Sequence, residues 1–232
     1  MAKNQKPTKK QEHHMSVGEV VEKTEDFVTK YQKPIIIAIS AIVLVVLVFF
    51  GYKKLYSEPR NEEALAQMYM AEQQFQIDSF RLALNGEPGS YYGFLQVIDD
   101  FGSTDAGNLA QYYAGICQLQ IGSFDEAIKH QKKYSSGDEI IQARAYAAIG
   151  DAYVELNSYN EAASYFMKAA NHKDNIYAAG YLMKAAMVYE QLNRYSDAIK
   201  AYERIRTEYP NTMEAQEAEK EIVRANILSQ KN

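Results

Sequence analysis

The chain has no tryptophan, one cysteine and only five prolines in 232 residues. A single cysteine excludes an intrachain disulfide. It does not exclude an oxidising compartment, because it says only that the fold needs no such staple. Cys117 stands between Ile116 and Leu119 and reads as a small buried core residue, not a reactive thiol. The motifs of chemistry are missing too: no Gly-rich phosphate loop, no H-E-x-x-H, no C-x-x-C and no G-x-S-x-G. His13 and His14 are adjacent, which is poor geometry for a metal on a helix. His130 and His172 fall near the ends of helical segments, where the dipole favours them. Asp99 and Asp100 close a helix without the pocket that paired catalytic carboxylates need. These residues predict no enzyme, no metal, no cofactor and no small-molecule substrate. A basic stripe is also lacking. After residue 33 the chain holds 18 Lys/Arg against 25 Asp/Glu, which argues against a nucleic-acid partner.

What is present begins with one uncharged run, residues 34–52, reading PIIIAISAIVLVVLVFFGY. As a helix it would rise roughly 28 Å, close to the thickness of a bilayer's hydrocarbon core. It is longer than a signal-peptide core, and GYKKLYSEPR after it offers no A-x-A-like cleavage site. We read it as an uncleaved transmembrane helix contacting lipid. Residues 1–33 carry seven Lys and five Asp/Glu, which favours an N-terminus inside; within 15 residues of each end the count is tied, three basic residues each. Residues 1–15 are polar and predict a disordered cytoplasmic tail. Residues 16–33 predict an amphipathic helix. Ser16 and Glu19 have capping-box spacing, and Val17, Val20, Val21, Phe27, Val28 and Tyr31 make an apolar stripe for lipid or a membrane partner. Pro34 allows a break before the membrane segment.

Residues 53–232 make the second domain, and there the chain repeats itself. Gly115, Gly150 and Ala186 align, as do Phe124, Tyr159 and Tyr195, and then Ala127, Ala162 and Ala198. Each unit predicts two antiparallel helices. The small residues let the helices approach, and the aromatic opens the second helix. Ser123 with Glu126 and Ser158 with Glu161 predict capping boxes at the second helices. Pro210 ends the third unit. Upstream, residues 61–102 predict an irregular pair: helix to residue 76, an extended connection over 76–90 and helix over 91–101. Residues 212–229 predict an end-capping helix with Ala215, Ala218, Ile222 and Ala225 on one stripe.

The pattern of Gly150, Tyr153, Tyr159, Ala162, Phe166 and Ala169, and of Ala186, Tyr189, Tyr195, Ala198, Tyr202 and Pro210, resembles the tetratricopeptide repeat family. The first unit departs from it at Gln118, Gln131 and Glu139. The fold class expected is therefore all-α: a single N-terminal transmembrane helix, then a tetratricopeptide-like α-solenoid of about three to four helix pairs with a C-terminal capping helix. The resemblance implies a concave groove from the first helix of each pair. Carried over residue by residue, it holds Leu109, Tyr112, Ile116, Leu119, Arg144, Asp151, Met183, Met187 and Glu190. An apolar, Met-containing wall suits apolar segments of a partner; the same side chains could instead pack against neighbouring helices.

The layout is similar to the YfgM-type ancillary subunits of the SecYEG translocon. That resemblance implies a bacterial inner-membrane protein with a periplasmic repeat domain. It also implies three kinds of partner: the SecYEG channel, a PpiD-type periplasmic chaperone and unfolded secreted clients. A scaffold for another envelope complex, in outer-membrane assembly, secretion or division, is the alternative.

Overall fold

The computed structural model describes residues 17–173 and 176–230, without the side chains of residues 17–30. The expected tail 1–15 and Ser16 lie outside the described residues. The chain divides into two compact units, Met1–Tyr56 and Ser57–Asn232.

In the first unit, helix α1 runs Val17–Tyr52. Pro34 lies inside it, so the break that a proline allows there is not taken. Proline lacks one backbone donor, and the helix continues through it. The apolar stretch is long enough to cross a membrane by length and composition, with mean hydropathy 3.0 over its best window and none of that window buried. Its side chains, from Ile35 to Phe50, are exposed throughout. Lys53–Ser57 follow as a π-helical turn.

The second unit is built from helical hairpins: α2 (Glu58–Gln76), α3 (Phe80–Asn85), α4 (Phe94–Phe101), α5 (Asp105–Gln120), α6 (Phe124–Lys133), α7 (Glu139–Glu155), α8 (Tyr159–Ala170), α9 (Ala178–Gln191), α10 (Tyr195–Glu208) and α11 (Met213–Ser229). One turn recurs four times. Asp78, Gly122, Asn157 and Asn193 adopt left-handed backbone, φ 58°, 83°, 57° and 55°. The next amide donates back five residues: Ser79 to Gln74, Ser123 to Gln118, Ser158 to Tyr153 and Arg194 to Tyr189, at 2.8–2.9 Å. This closes the preceding helix and satisfies its orphan carbonyls. It also displaces the expected capping boxes. Ser123 and Ser158 do hold the N-cap positions, but neither side chain accepts a capping hydrogen bond. Side-chain caps appear where a helix follows a looser connection: Thr104 on α5, Asp138 on α7 and Thr212 on α11.

The first of these turns, at Asp78, shows that residues 76–90 are not an extended connection. Ile77-Asp78-Ser79-Phe80 opens α3 as Leu156-Asn157-Ser158-Tyr159 opens α8, so α2 is the first helix of a full unit. Its second helix is interrupted. From Tyr159 to Phe166 and from Tyr195 to Tyr202 the buried aromatic follows after seven residues; from Phe80 to Phe94 it follows after fourteen. The extra residues form a small hairpin, Gly86–Glu87 (β1) paired antiparallel with Tyr91–Tyr92 (β2). Its tip is a type II turn: Pro88, then Gly89 at φ 79°, with Ser90 N donating to Glu87 O at 2.9 Å. Gly86 and Gly93 press backbone to backbone. A Cβ on Gly86 would lie 2.3 Å from Gly93 N, so no side chain fits.

The core is divided. Phe166, Leu182, Tyr202, Ile205 and a set of alanines bind α7–α11. Met68, Leu84, Phe94, Val97 and Cys117 bind α2–α5. Two smaller clusters lie between them, around Ile149 and around Tyr112. Cys117 is fully buried, as expected, and burial pushes its thiol up to about 12. His130 lies in the last turn of α6, as expected, and is also buried, with Nδ1 2.7 Å from Gln111 Oε1. His172 stands edge-on to Tyr146, ring centroids 5.5 Å apart.

Candidate functional site

The first helices of successive hairpins, α5, α7 and α9, present side chains to one side of the solenoid. Two cavities open there. The smaller, about 290 Å³, is lined by Tyr112, Ile116 and Leu119 of α5, Arg144, Ala147 and Asp151 of α7, and Tyr181 and Lys184 of α9. The larger, about 500 Å³, lies toward the helix ends. It is lined by Val154 of α7, by Met187, Val188, Glu190 and Gln191 of α9, by Tyr159 and Tyr195 at the starts of α8 and α10, and by Arg224 and Leu228 of α11.

Seven of the nine expected groove residues line one or other cavity. Tyr112, Ile116, Leu119, Arg144 and Asp151 meet in the smaller one, Met187 and Glu190 in the larger. Leu109 and Met183 do not line either; both are half-buried and pack against core clusters. The remaining seven span both roles. Tyr112 is only 8% exposed and packs on Tyr134, ring centroids 5.3 Å apart, whereas Met187 is 58% exposed. An exposed, unbranched thioether that lines a cavity is an adaptable apolar contact.

Polar groups fix the walls. Lys184 Nζ donates to both carboxylate oxygens of Asp151, at 2.7 and 2.9 Å. Glu190 accepts from Tyr202 Oη at 3.3 Å and pairs with Arg224, which also pairs with Glu221. Burial pushes the Tyr112 phenol up, opposed by the Arg144 guanidinium, and pushes Tyr181 up to about 12.

Tyr181, Lys184 and Val188 of α9, Tyr159 and Tyr195, and Arg224 and Leu228 are lining residues that sequence reasoning did not place in the groove. Tyr181 and Lys184 lie within one turn of Met183, the position chosen on α9. Arg224 and Leu228 belong to α11, whose sequence carries only an end cap's alanine stripe.

Of the stripe proposed for a membrane partner, Val17, Val20, Val21, Phe27 and Val28 lie on the backbone of α1, and their side chains fall outside the described residues. Tyr31 is exposed.

These stacked hairpins, with one aromatic and one small-residue seat each, define a helical-repeat protein. Two tetratricopeptide repeat models match the chain, one over residues 143–171 and one over residues 181–212. The chain carries tetratricopeptide repeats, in α7–α8 and in α9–α10. Such repeats mark a protein–protein interaction module. No curated protein matches the chain.

Proposed function

We propose that this chain is a membrane-anchored docking subunit, with α1 crossing the bilayer and the groove holding apolar segments of other proteins. The observation that carries this reading is a pair of cavities lined by α5, α7, α9 and α11, with the exposed Met187 lining the larger one together with Val154 and Leu228. Fully burying one such side chain contributes about 1.5–3 kcal/mol. A few contacts therefore suffice for micromolar binding after the cost of ordering.

More narrowly, the protein serves as an accessory subunit of the SecYEG translocon. There it links the channel to a PpiD-type chaperone or receives emerging secreted chains on the periplasmic side of a bacterial inner membrane. The layout supports this: a Lys-containing tail, one apolar segment, then an acidic repeat domain.

A photoreactive residue at Met187 of the full chain, activated in intact membranes, tests both levels. Crosslinks to the channel or to a membrane-anchored chaperone are the expected product. Crosslinks to another envelope assembly would replace the translocon reading and keep the groove. Absence of crosslinks at Met187, with abundant ones from α1, would move the binding surface to the membrane helix. Protease added to spheroplasts should digest the repeat domain; a domain protected until lysis would reverse the orientation.

A further inference from the structure

Helix α1 runs without interruption from Val17 to Tyr52, 36 residues, or about 54 Å along its axis. Set in heptads, Val21, Val28, Ile35 and Ile42 take position a, and Val17, Thr24, Tyr31 and Ala38 take position d. No charge falls at either position from Val17 to Tyr52. Inside the apolar run that is unavoidable. Over residues 17–33 it is not, because seven of them are charged, and all seven fall at b, c, e or f. With α1 crossing the bilayer and continuing through Pro34, residues 17–33 prolong the spanning helix outward for about 25 Å. An unbroken helix cannot lay that stretch flat on the bilayer surface, so lipid does not cover its apolar stripe. Farther along, Ile35, Ile42, Val45 and Phe49 are exposed.

Resting on the reading that α1 crosses the bilayer, we infer that this seam is covered by α1 of a second copy of the chain, in a parallel, two-stranded pairing. Three features select a second copy. Copies inserted by the same signals share orientation and depth, so each position meets itself in register, and self-apposition requires a seam free of charge along its whole length. Valine or isoleucine at every a position from 21 to 42 favours two strands. Across a parallel pair, position e of one helix faces position g of the other; these hold Glu25 and Val20, so no like charges are opposed. Within the apolar run, Ala38 at d and Ala41 at g let the backbones approach. Two groove-bearing domains then share one anchor, which allows a partner with two segments to be held at both.

The test uses the full chain in intact membranes treated with a thiol oxidant. Single substitutions place a cysteine on the seam (Val21→Cys, Thr24→Cys, Val28→Cys) or off it (Glu22→Cys, Asp26→Cys). Cys117 is fully buried, and the parent chain controls for it. Disulfide-linked dimers should form at 21, 24 and 28 and be lost at 22 and 26. Adding Val21→Glu and Val28→Glu to Thr24→Cys should abolish the dimer. Co-expressing that chain with a differently tagged Val21→Lys, Val28→Lys, Thr24→Cys chain should restore it between the unlike copies, which misfolded chains could not do. Equal dimers at all five positions, dimers at none, dimers that survive the paired glutamates, or a lysine chain that restores nothing would each overturn the pairing. Alkaline washing separates this outcome from failure of the anchor. A chain that stays in the membrane without dimers loses only the seam, whereas a chain that washes out loses the spanning helix and the functional reading built on it.

Discussion

The hairpins α5–α6 and α7–α8 have the same register and different interiors. In α7–α8, Gly150 faces the ring of Phe166, and that ring is fully buried in the largest apolar cluster. In α5–α6, Gly115 faces Gln131 at the equivalent seat. Gln131 Nε2 donates to the Tyr112 carbonyl at 2.9 Å, while its Oε1 is buried without a partner among the described residues. Gln118, His130 and Gln142 are buried nearby, and the apolar clusters around them are small. An orphaned buried acceptor costs about 1–3 kcal/mol. Burial of apolar area thus holds the two ends of the solenoid, and hydrogen bonds hold its middle. The matched models cover the C-terminal apolar hairpins, α7–α8 and α9–α10. The Tyr112 wall of the groove stands on the polar hairpin. Its local opening should therefore be easier than that of its neighbours.

The largest expected contrast lies at the shared seat. Phe166→Ala empties a close-packed site and should cost about 3–5 kcal/mol. Gln131→Ala loses one modest hydrogen bond and should cost about 0.5–1.5 kcal/mol. Gln131→Met keeps the volume and removes the orphaned acceptor, so it should be neutral or stabilising. Urea unfolding followed by circular dichroism measures all three. A Gln131→Met chain destabilised as much as Phe166→Ala would end the contrast and make the glutamine a specific structural requirement.

The two glycines should separate by a smaller margin. A Cβ at position 150 would stand 2.6 Å from the rigid Phe166 ring, and one at position 115 would stand 2.7 Å from the Gln131 side chain. Overpacking against a fixed ring costs about 1–3 kcal/mol. A glutamine side chain can swing away, and Ala then returns helix propensity of about 1 kcal/mol. Gly150→Ala should lower the melting temperature, while Gly115→Ala should leave it near that of the parent. Equal losses would show that Gln131 is as immobile as the ring.

The polar hairpin should also carry a pH dependence that its neighbours lack. Burial holds the His130 imidazole below its ordinary value of 6.5, with Glu126 and Asp99 opposing and Lys133 and Lys129 assisting. The unfolded chain then binds a proton that the folded chain refuses, so stability falls as pH drops below about 6.5 and is restored above it. His130→Gln should flatten the profile over that range. An unchanged slope would mean that other groups set it.

Much of this architecture is readable from residues alone, because a small residue, an aromatic and an alanine at fixed offsets admit few packings. The register at Gly150, Tyr159 and Ala162 is of that kind. The first unit carries the same turn, Ile77-Asp78-Ser79-Phe80, but the hairpin between Gly86 and Gly93 separates its two buried aromatics and hides the period. The groove is half legible. Side chains one turn apart on α9, such as Tyr181 and Met183, cannot be told apart without knowing how α9 is rotated. The contribution of α11 depends on where an end helix lies, which its alanine stripe does not encode.

The smallest contrast concerns helix starts, and it sets local signature against realised geometry. The serines at 123 and 158 satisfy a capping-box pattern, yet the preceding left-handed turn spends the serine amide on a carbonyl five residues back and leaves the side chain idle. Thr212 has no such turn before it, and its Oγ1 accepts from Ala215 N at 3.2 Å. Ser158→Ala should therefore change stability by only a few tenths of a kcal/mol, as a surface substitution does. Thr212→Ala should cost about 1 kcal/mol, the usual value of a lost cap. Protection of the first α11 amides against hydrogen exchange should fall in Thr212→Ala, and that of the first α8 amides should not change in Ser158→Ala. A Ser158→Ala loss as large as that of Thr212→Ala would mean that the serine caps α8 in solution after all.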